Sequence, residues 1–299
     1  NHAKPQARRI PPISKRSKTH RRTLGIHQGA KQLIPRAKKT KAPSPTQPPH
    51  PTQPAIAKYA SRVGFKTRST APKPSTTAIP AFESIYKRAV ARKGRTALHS
   101  MLPPLPNPAL LALVPDDRIL SSMAKNIFRA GFVWKIVDAK WPSFEEAFQS
   151  FDIMAVASMD EEDLDELATD TRVIRNRSKL AAVLDNARFV FEVCNEWGSF
   201  GAYLAQWPDE DLVGLWDDLH KRGTRLGGFT RSVFLREVGK DTFLLTSDVV
   251  RAFITARVVE KMPTAKRDLT RVQGAFNAWR EETGRPFCQL SKILACSVD

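Results

Sequence analysis

Leu219 to Val249 reads LHKRGTRLGGFTRSVFLREVGKDTFLLTSDV. The spacing predicts a helix ending at Gly223, a tight turn through Leu226-Gly227-Gly228, and a second amphipathic helix from about Thr230. Asp248 then stands at the start of a third helix. Glycine at a turn between helices relieves the Cβ clash at positive φ and lets the backbone approach another surface closely. The N–H groups exposed at such a helix start form a seat for a phosphate. Two readings stand at this point: a helix–hairpin–helix that grips a phosphate backbone, or an ordinary corner between two helices with Asp248 as a cap.

Outward from that stretch, hydrophobic spacing is helical almost everywhere beyond residue 80. Phe82, Ile85, Tyr86 and Ala89 mark a first helix, and a proline-rich bridge runs from Leu102 to Pro108. A helix from Asp116 carries Ile119, Leu120, Met123, Ile127 and Ala130, and Gly131 interrupts it. The pattern resumes at Val133 and is expected to stop at Trp141-Pro142, with Ser143 and Glu146 as a capping box for the next helix. Ser158 to Leu167 reads as a short acidic helix, and Ser178 to Glu196 as the longest periodic run. Further helices are expected at 209–220, 230–239, 247–260, 266–282 and 286–295. No segment alternates at period two and no internal repeat is visible, so the expected class is all-α.

Charge divides the chain at residue 80. Residues 1–80 hold 18 Lys and Arg, no Asp or Glu, and 13 of the 22 prolines. The remaining 30 basic residues are balanced by 30 acidic ones, so the formal charge of +18 belongs to the first 80 residues. Little apolar surface offsets ordering entropy there, and disorder is expected. Such a segment is attracted to polyanions, nucleic acid above all. A targeting segment, or upstream sequence outside the native protein, reads equally from the same composition. Residues 81–299 are of a size to form one domain with a core. No apolar run approaches the ~20 residues of a membrane span. Cys194, Cys288 and Cys296 are too few and too scattered for a disulfide framework or a four-ligand metal site, and a reducing compartment is expected.

Gly131-Phe132-Val133-Trp134, Phe144-Glu145-Glu146-Ala147-Phe148, Phe151-Asp152 and Val156-Ala157 resemble the bacterial DNA-3-methyladenine glycosylase I family. So do Ile174-Arg175-Asn176-Arg177-Ser178-Lys179, Asn186-Ala187-Arg188, Gly198-Ser199-Phe200 and Lys221-Arg222-Gly223. The resemblance spans roughly 117–253 and is densest from Ile174 to Arg188. It implies a helix–hairpin–helix DNA glycosylase that acts on duplex DNA containing alkylated bases and extrudes the damaged nucleotide before cleaving its N-glycosidic bond. A methylated purine is cationic and already a good leaving group. An aromatic face for the cation and a carboxylate for the developing sugar charge are then enough.

The resemblance implies that Trp134 stacks on the base; the plainer reading is a core tryptophan beside Gly131, which itself would allow close helix approach. Arg175 and Arg177, with Asn176 and Lys179, match a polar turn of the family, although a solvated face reads equally. Asp185 and Asn186 read as structural. In the wider glycosylase superfamily an aspartate at a helix start, about twenty residues beyond the hairpin's second glycine, is the catalytic carboxylate. Asp248 stands at that place after Gly228. Gly227 and Gly228 would seat a DNA phosphate, with Lys221, Arg222, Arg225 and Arg231 adding charge around it.

Three departures qualify the resemblance. Eight residues before the tryptophan the family has a base-recognising glutamate, and here that position is Asn126, an amide that donates as well as accepts. The family's zinc site of cysteines and histidines is not expected, since Val249 follows Asp248 with no cysteine nearby. Thr230 stands where lyase relatives carry a lysine, so no Schiff base is expected. The expectation is a monofunctional enzyme, a monomer without metal or organic cofactor, cytoplasmic and at most nucleoid-associated. A helix–hairpin–helix protein that binds DNA without cutting it is the alternative, favoured by Asn126. A helical interaction module without nucleic acid is a third, supported by the neutral charge of residues 81–299.

Overall fold

The computed structural model of the protein describes residues 79–298, and the expected N-terminal tail lies outside them, but for its last two residues. Every regular element among the described residues is helical: α1 (Phe82–Lys93), α2 (Arg95–Ser100), α3 (Pro108–Ala112), α4 (Asp116–Arg129), α5 (Trp134–Ala147), α6 (Ile153–Ser158) and α7 (Glu161–Thr169). They are followed by α8 (Arg177–Trp197), α9 (Phe200–Gln206), α10 (Leu212–Arg222), α11 (Gly228–Val238), α12 (Ser247–Thr255), α13 (Lys266–Thr283) and α14 (Phe287–Cys296). The all-α expectation holds.

The long helix α8 is central to the N-terminal half. Its apolar stripe of Leu180, Val183, Leu184, Ala187, Val190 and Val193 is buried, and α4, α6, α7 and α9 pack against it. Asn176 caps its start by accepting from the Lys179 amide at 3.2 Å. The C-terminal half is held by aromatic rings. Phe243, Phe253 and Trp279 cluster around Phe276, on which Phe243 stacks at 4.2 Å between centroids, and Trp216 packs edge-on against Phe243. Helix α14 packs on α12, α13 and α1, so the terminal helices close the fold onto its first helix. Glu282 accepts from the Phe82 amide and the Trp279 indole donates to the Pro80 carbonyl, which fastens that closure.

Helix α5 corrects one expectation. It does not stop at Trp141-Pro142; it runs on to Ala147 with Pro142 inside, so Ser143 and Glu146 cap no new helix. Proline there forfeits one backbone bond and crowds the carbonyl four residues back. Packing outweighs that cost. Trp141 stacks on Phe144 at 4.9 Å and on Phe151 at 5.6 Å, and its indole donates to Ser121 and Glu145. Glu145 also receives both Arg118 guanidinium nitrogens at 2.9 Å, tying α5 to α4. Burial alone would raise the Glu145 carboxyl, but hydrogen bonds from Arg118 and Ser121 hold it below the ordinary carboxylate range.

Candidate functional site

The hairpin forms as expected, with its second helix starting two residues early. Helix α10 ends at Arg222, and α11 begins at Gly228 rather than Thr230. Gly228 has φ +54, which any side chain would adopt only under strain, and a Cβ there would meet open space. Gly223 is required for the opposite reason. A Cβ on it would lie 2.9 Å from the Leu219 carbonyl oxygen and 3.1 Å from Asn186 Oδ1. Asn186, wholly buried, clamps the turn by donating to the Thr224 carbonyl and accepting from the Thr224 amide, both at 2.9 Å. That agrees with its structural reading. Gly131 corrects another expectation: its φ is +77 with nothing near a Cβ, so it ends α4 by conformation and not by close helix approach.

The turn opens into a cleft of about 780 Å³. On one side stand Gly227, Gly228, Phe229, Arg231 and Ser232; on the other Leu245, Thr246 and Ser247 of the α12 start; Trp216, His220 and Met262 contribute to the walls. Arg231 donates to the Trp216 carbonyl at 3.2 Å and lies 5.2 Å over the Trp216 ring. Its Nε is buried without a partner, and burial lowers its affinity for a proton. No carboxylate forms an ion pair with Arg231 among the described residues, and the nearby Asp217 only partly offsets the cost of burying its charge. Sequence reasoning missed His220, whose ring comes within 3.5 Å of where a Gly227 Cβ would sit. Its place two residues before the Arg222 helix end is the signal that would have shown it.

Asp248 is not the cap of α12. Thr246 is, accepting from the Val249 amide at 3.3 Å. Asp248 is the second helical residue, its side chain 47% exposed and 3.8 Å from Arg251. Neighbouring Ser247 lines the cleft.

Most of the other expected cations already hold partners. Lys221 shares Asp217 with Lys266, and hydrogen bonds from those two ammonium groups pull the Asp217 carboxyl down to about 2. Arg222 pairs with Glu196 at 3.0 Å and covers the Phe189 ring. Arg225, at φ +60, donates to the Ser178 carbonyl and hydroxyl and pins the turn to the start of α8. Arg177 pairs with Glu161 and Asp165, on an exposed face. Arg175 is exposed, with no side-chain partner among the described residues.

Trp134 and Asn126 lie in a second group. Trp134 is the first residue of α5 and is 45% exposed, not a core tryptophan. Arg129 sits over its ring at 4.9 Å. That guanidinium donates to Asp138 and Glu237, each at 2.6 Å, and its side chain is only 11% exposed. Burial opposes its charge, but Asp138 and Glu237 outweigh it and strengthen its hold on the proton. Asn126 is 3% exposed and its amide donates to Glu237 at 2.7 Å and to the Ser122 carbonyl. Its NH2 group is therefore engaged within the protein, contrary to a free contact with a base edge. Lys179 stays inside too, donating to the Phe128 and Ala130 carbonyls beneath the Phe132 ring. Glu237 lies at the far end of α11 from Gly228, roughly 13 Å away at 1.5 Å per residue.

No three His, Cys, Asp or Glu side chains converge among the described residues. Burial pushes the Cys194 and Cys288 thiols up to about 12, and Cys296 is buried.

Residues 113–224 match the model of the family described as methyladenine glycosylase. DNA-3-methyladenine glycosylase 1 of Escherichia coli is 40% identical over 60 residues, covering 20% of this chain and 32% of the relative. DNA-3-methyladenine glycosylase of Haemophilus influenzae is 37% identical over 70 residues, covering 23% and 38%. The chain thus spans about a third of the length of these curated relatives. Among solved structures, 3-methyladenine DNA glycosylase I of Staphylococcus aureus is similar with a TM-score of 0.40 and 24% identity, over 48% of this chain and 82% of that one. The family match ends at Thr224, about one turn short of Gly227 and Gly228 and well short of Asp248. Over residues 113–224 this chain is similar to the methyladenine glycosylase family.

Proposed function

We propose that the protein is a monofunctional DNA glycosylase that excises alkylated purines of the 3-methyladenine type from duplex DNA, acting as a monomer in the cytoplasm. The observation that carries this reading is the cleft that Gly227, Gly228 and the half-buried Arg231 line together with Thr246 and Ser247 at the start of α12. A DNA phosphate at the α11 start would meet backbone N–H groups, the positive end of the helix and a cation. Asp248 stands in the first turn of α12, with its carboxylate at the positive end of the helix. In the reaction the C1′–N bond breaks and the electron pair leaves with the base, which departs neutral because it carried the positive charge. Asp248 stabilises the cationic sugar until water adds at C1′ and releases a proton. Lys221, Arg222, Arg225, Arg175 and Arg177 line the approach. The ion pairs of Lys221 and Arg177 are solvent-exposed, so exchanging a carboxylate for a phosphate there is inexpensive.

The second reading, DNA binding without excision, is favoured by Asn126, whose amide is taken by Glu237, and by the cation on Trp134. The deciding experiment is incubation with duplex DNA bearing 3-methyladenine, followed by separation of free base. Released base is the expected result; a gel shift without release leaves the binding protein.

A further inference from the structure

The Arg129 guanidinium is planar and positively charged, lies over the Trp134 ring at 4.9 Å, and has carboxylates on two sides. A methylated purine is also planar and positively charged, and it seeks the same surroundings: an aromatic face and a counter-ion. Glu237, from α11, brings a carboxylate to the position where Asn126 has only an amide, and Arg129 neutralises it. Resting on the proposed excision of cationic bases, we infer that Arg129 is a resident competitor for the base: its guanidinium occupies the cation site formed by Trp134 and Glu237, and a cationic purine enters only by displacing it.

The contacts support displacement rather than permanent closure. Arg129 receives Asp138 through Nε and Nη2 and Glu237 through Nη1. Asp138 has a second cation, Lys125, at 3.3 Å, so it stays paired when Arg129 swings away. Glu237 keeps the Asn126 amide and gains the purine as its new counter-ion. Trp134 is 45% exposed, and its neighbours Phe132 and Val133 are exposed too, so a base can reach it. Specificity follows from the exchange. A neutral base offers Glu237 no charge in return for Arg129, whereas a cation does.

The test uses the full chain and two purines that differ by one N3-methyl group and its charge: 3,9-dimethyladeninium, with a fixed positive charge, and neutral 9-methyladenine. Affinities are measured by equilibrium dialysis. Arg129→Gln keeps a donor near Glu237 and removes the charge. It is expected to bind the cation at least tenfold more tightly than the parent and to change affinity for the neutral purine less than twofold. Adding Trp134→Ala or Glu237→Gln should abolish the gain. Asp138→Asn, at an exposed position, loosens Arg129 without touching Trp134 or Glu237, and is expected to give a smaller gain of the same selectivity. Unchanged cation affinity in both folded variants, or an equal gain for both purines, overturns the inference. Its outcome is separate from excision: a parent that releases base while Arg129→Gln gains nothing sinks the competitor and leaves the glycosylase, and the reverse result does the opposite.

Discussion

Asp248 sits one turn-position inside its helix, and that separates capping from charge in a single substitution. Thr246 accepts the Val249 amide whatever stands at 248, so Asp248→Asn leaves the cap in place and removes only the negative charge. Base release from methylated DNA is expected to fall about a hundredfold, equivalent to ~2.7 kcal/mol in the barrier, with binding to an abasic-site analogue retained. Release at the parental rate would strip Asp248 of the role. The family resemblance singled out Asp248 and Trp134 as candidates, because each belongs to a local pattern. It was silent on Arg129, since the partner that gives Arg129 its meaning, Glu237, is 108 residues away. It read Asn126 as a base contact for the same reason: only the fold brings Glu237 to its amide.

Between elements, the hairpin depends on backbone geometry more than on side chains. Gly228→Val forces a β-branched residue into φ +54, a strain on the order of 1–3 kcal/mol, and sets its side chain over the α11 N–H groups. Affinity for unmodified duplex should drop further than thermal stability does, and equal affinity in a folded variant would remove the hairpin from the DNA surface. The α4–α5 contact carries a pH signature. Glu145 has its carboxyl held below the unfolded value, so its contribution is present above about pH 4.3 and is lost as pH falls through the folded value. Glu145→Gln should therefore lower stability at pH 7 by about 1–3 kcal/mol and flatten the acid limb of the stability curve, measured by urea unfolding from pH 2 to 7. An acid limb of unchanged slope would show that Arg118 and Ser121 do not depend on the charge. This contact also shows why the Pro142 expectation failed. Proline is a local signal, whereas the Trp141, Phe144 and Phe151 stack that overrides it is made by the turn beyond the helix.

Across the whole molecule, the helical class was legible because long helices such as α8 and α13 repeat their apolar residues over several turns. Helices α2, α3, α6 and α9, of five to seven residues, are too short to display a period and went unread. The net positive charge was equally legible, and all of it lies in the first 80 residues, whereas the expected phosphate seat is the hairpin. The two parts should be separable by salt. Deleting residues 1–78 removes 18 cations and none of the described helices. Each phosphate neutralised contributes roughly −0.9 to the slope of log K against log salt concentration. If the segment engages about four phosphates, the truncated protein binds duplex DNA with a slope shallower by roughly 3.6 and with lower affinity at low salt. The residual slope then belongs to Arg231 and its neighbours, and Arg231→Gln in the truncated protein should reduce it by about one phosphate's share. Equal slopes before and after truncation would assign DNA attraction to the helical part alone, and loss of helical circular dichroism would show that the described helices need residues before Ile79.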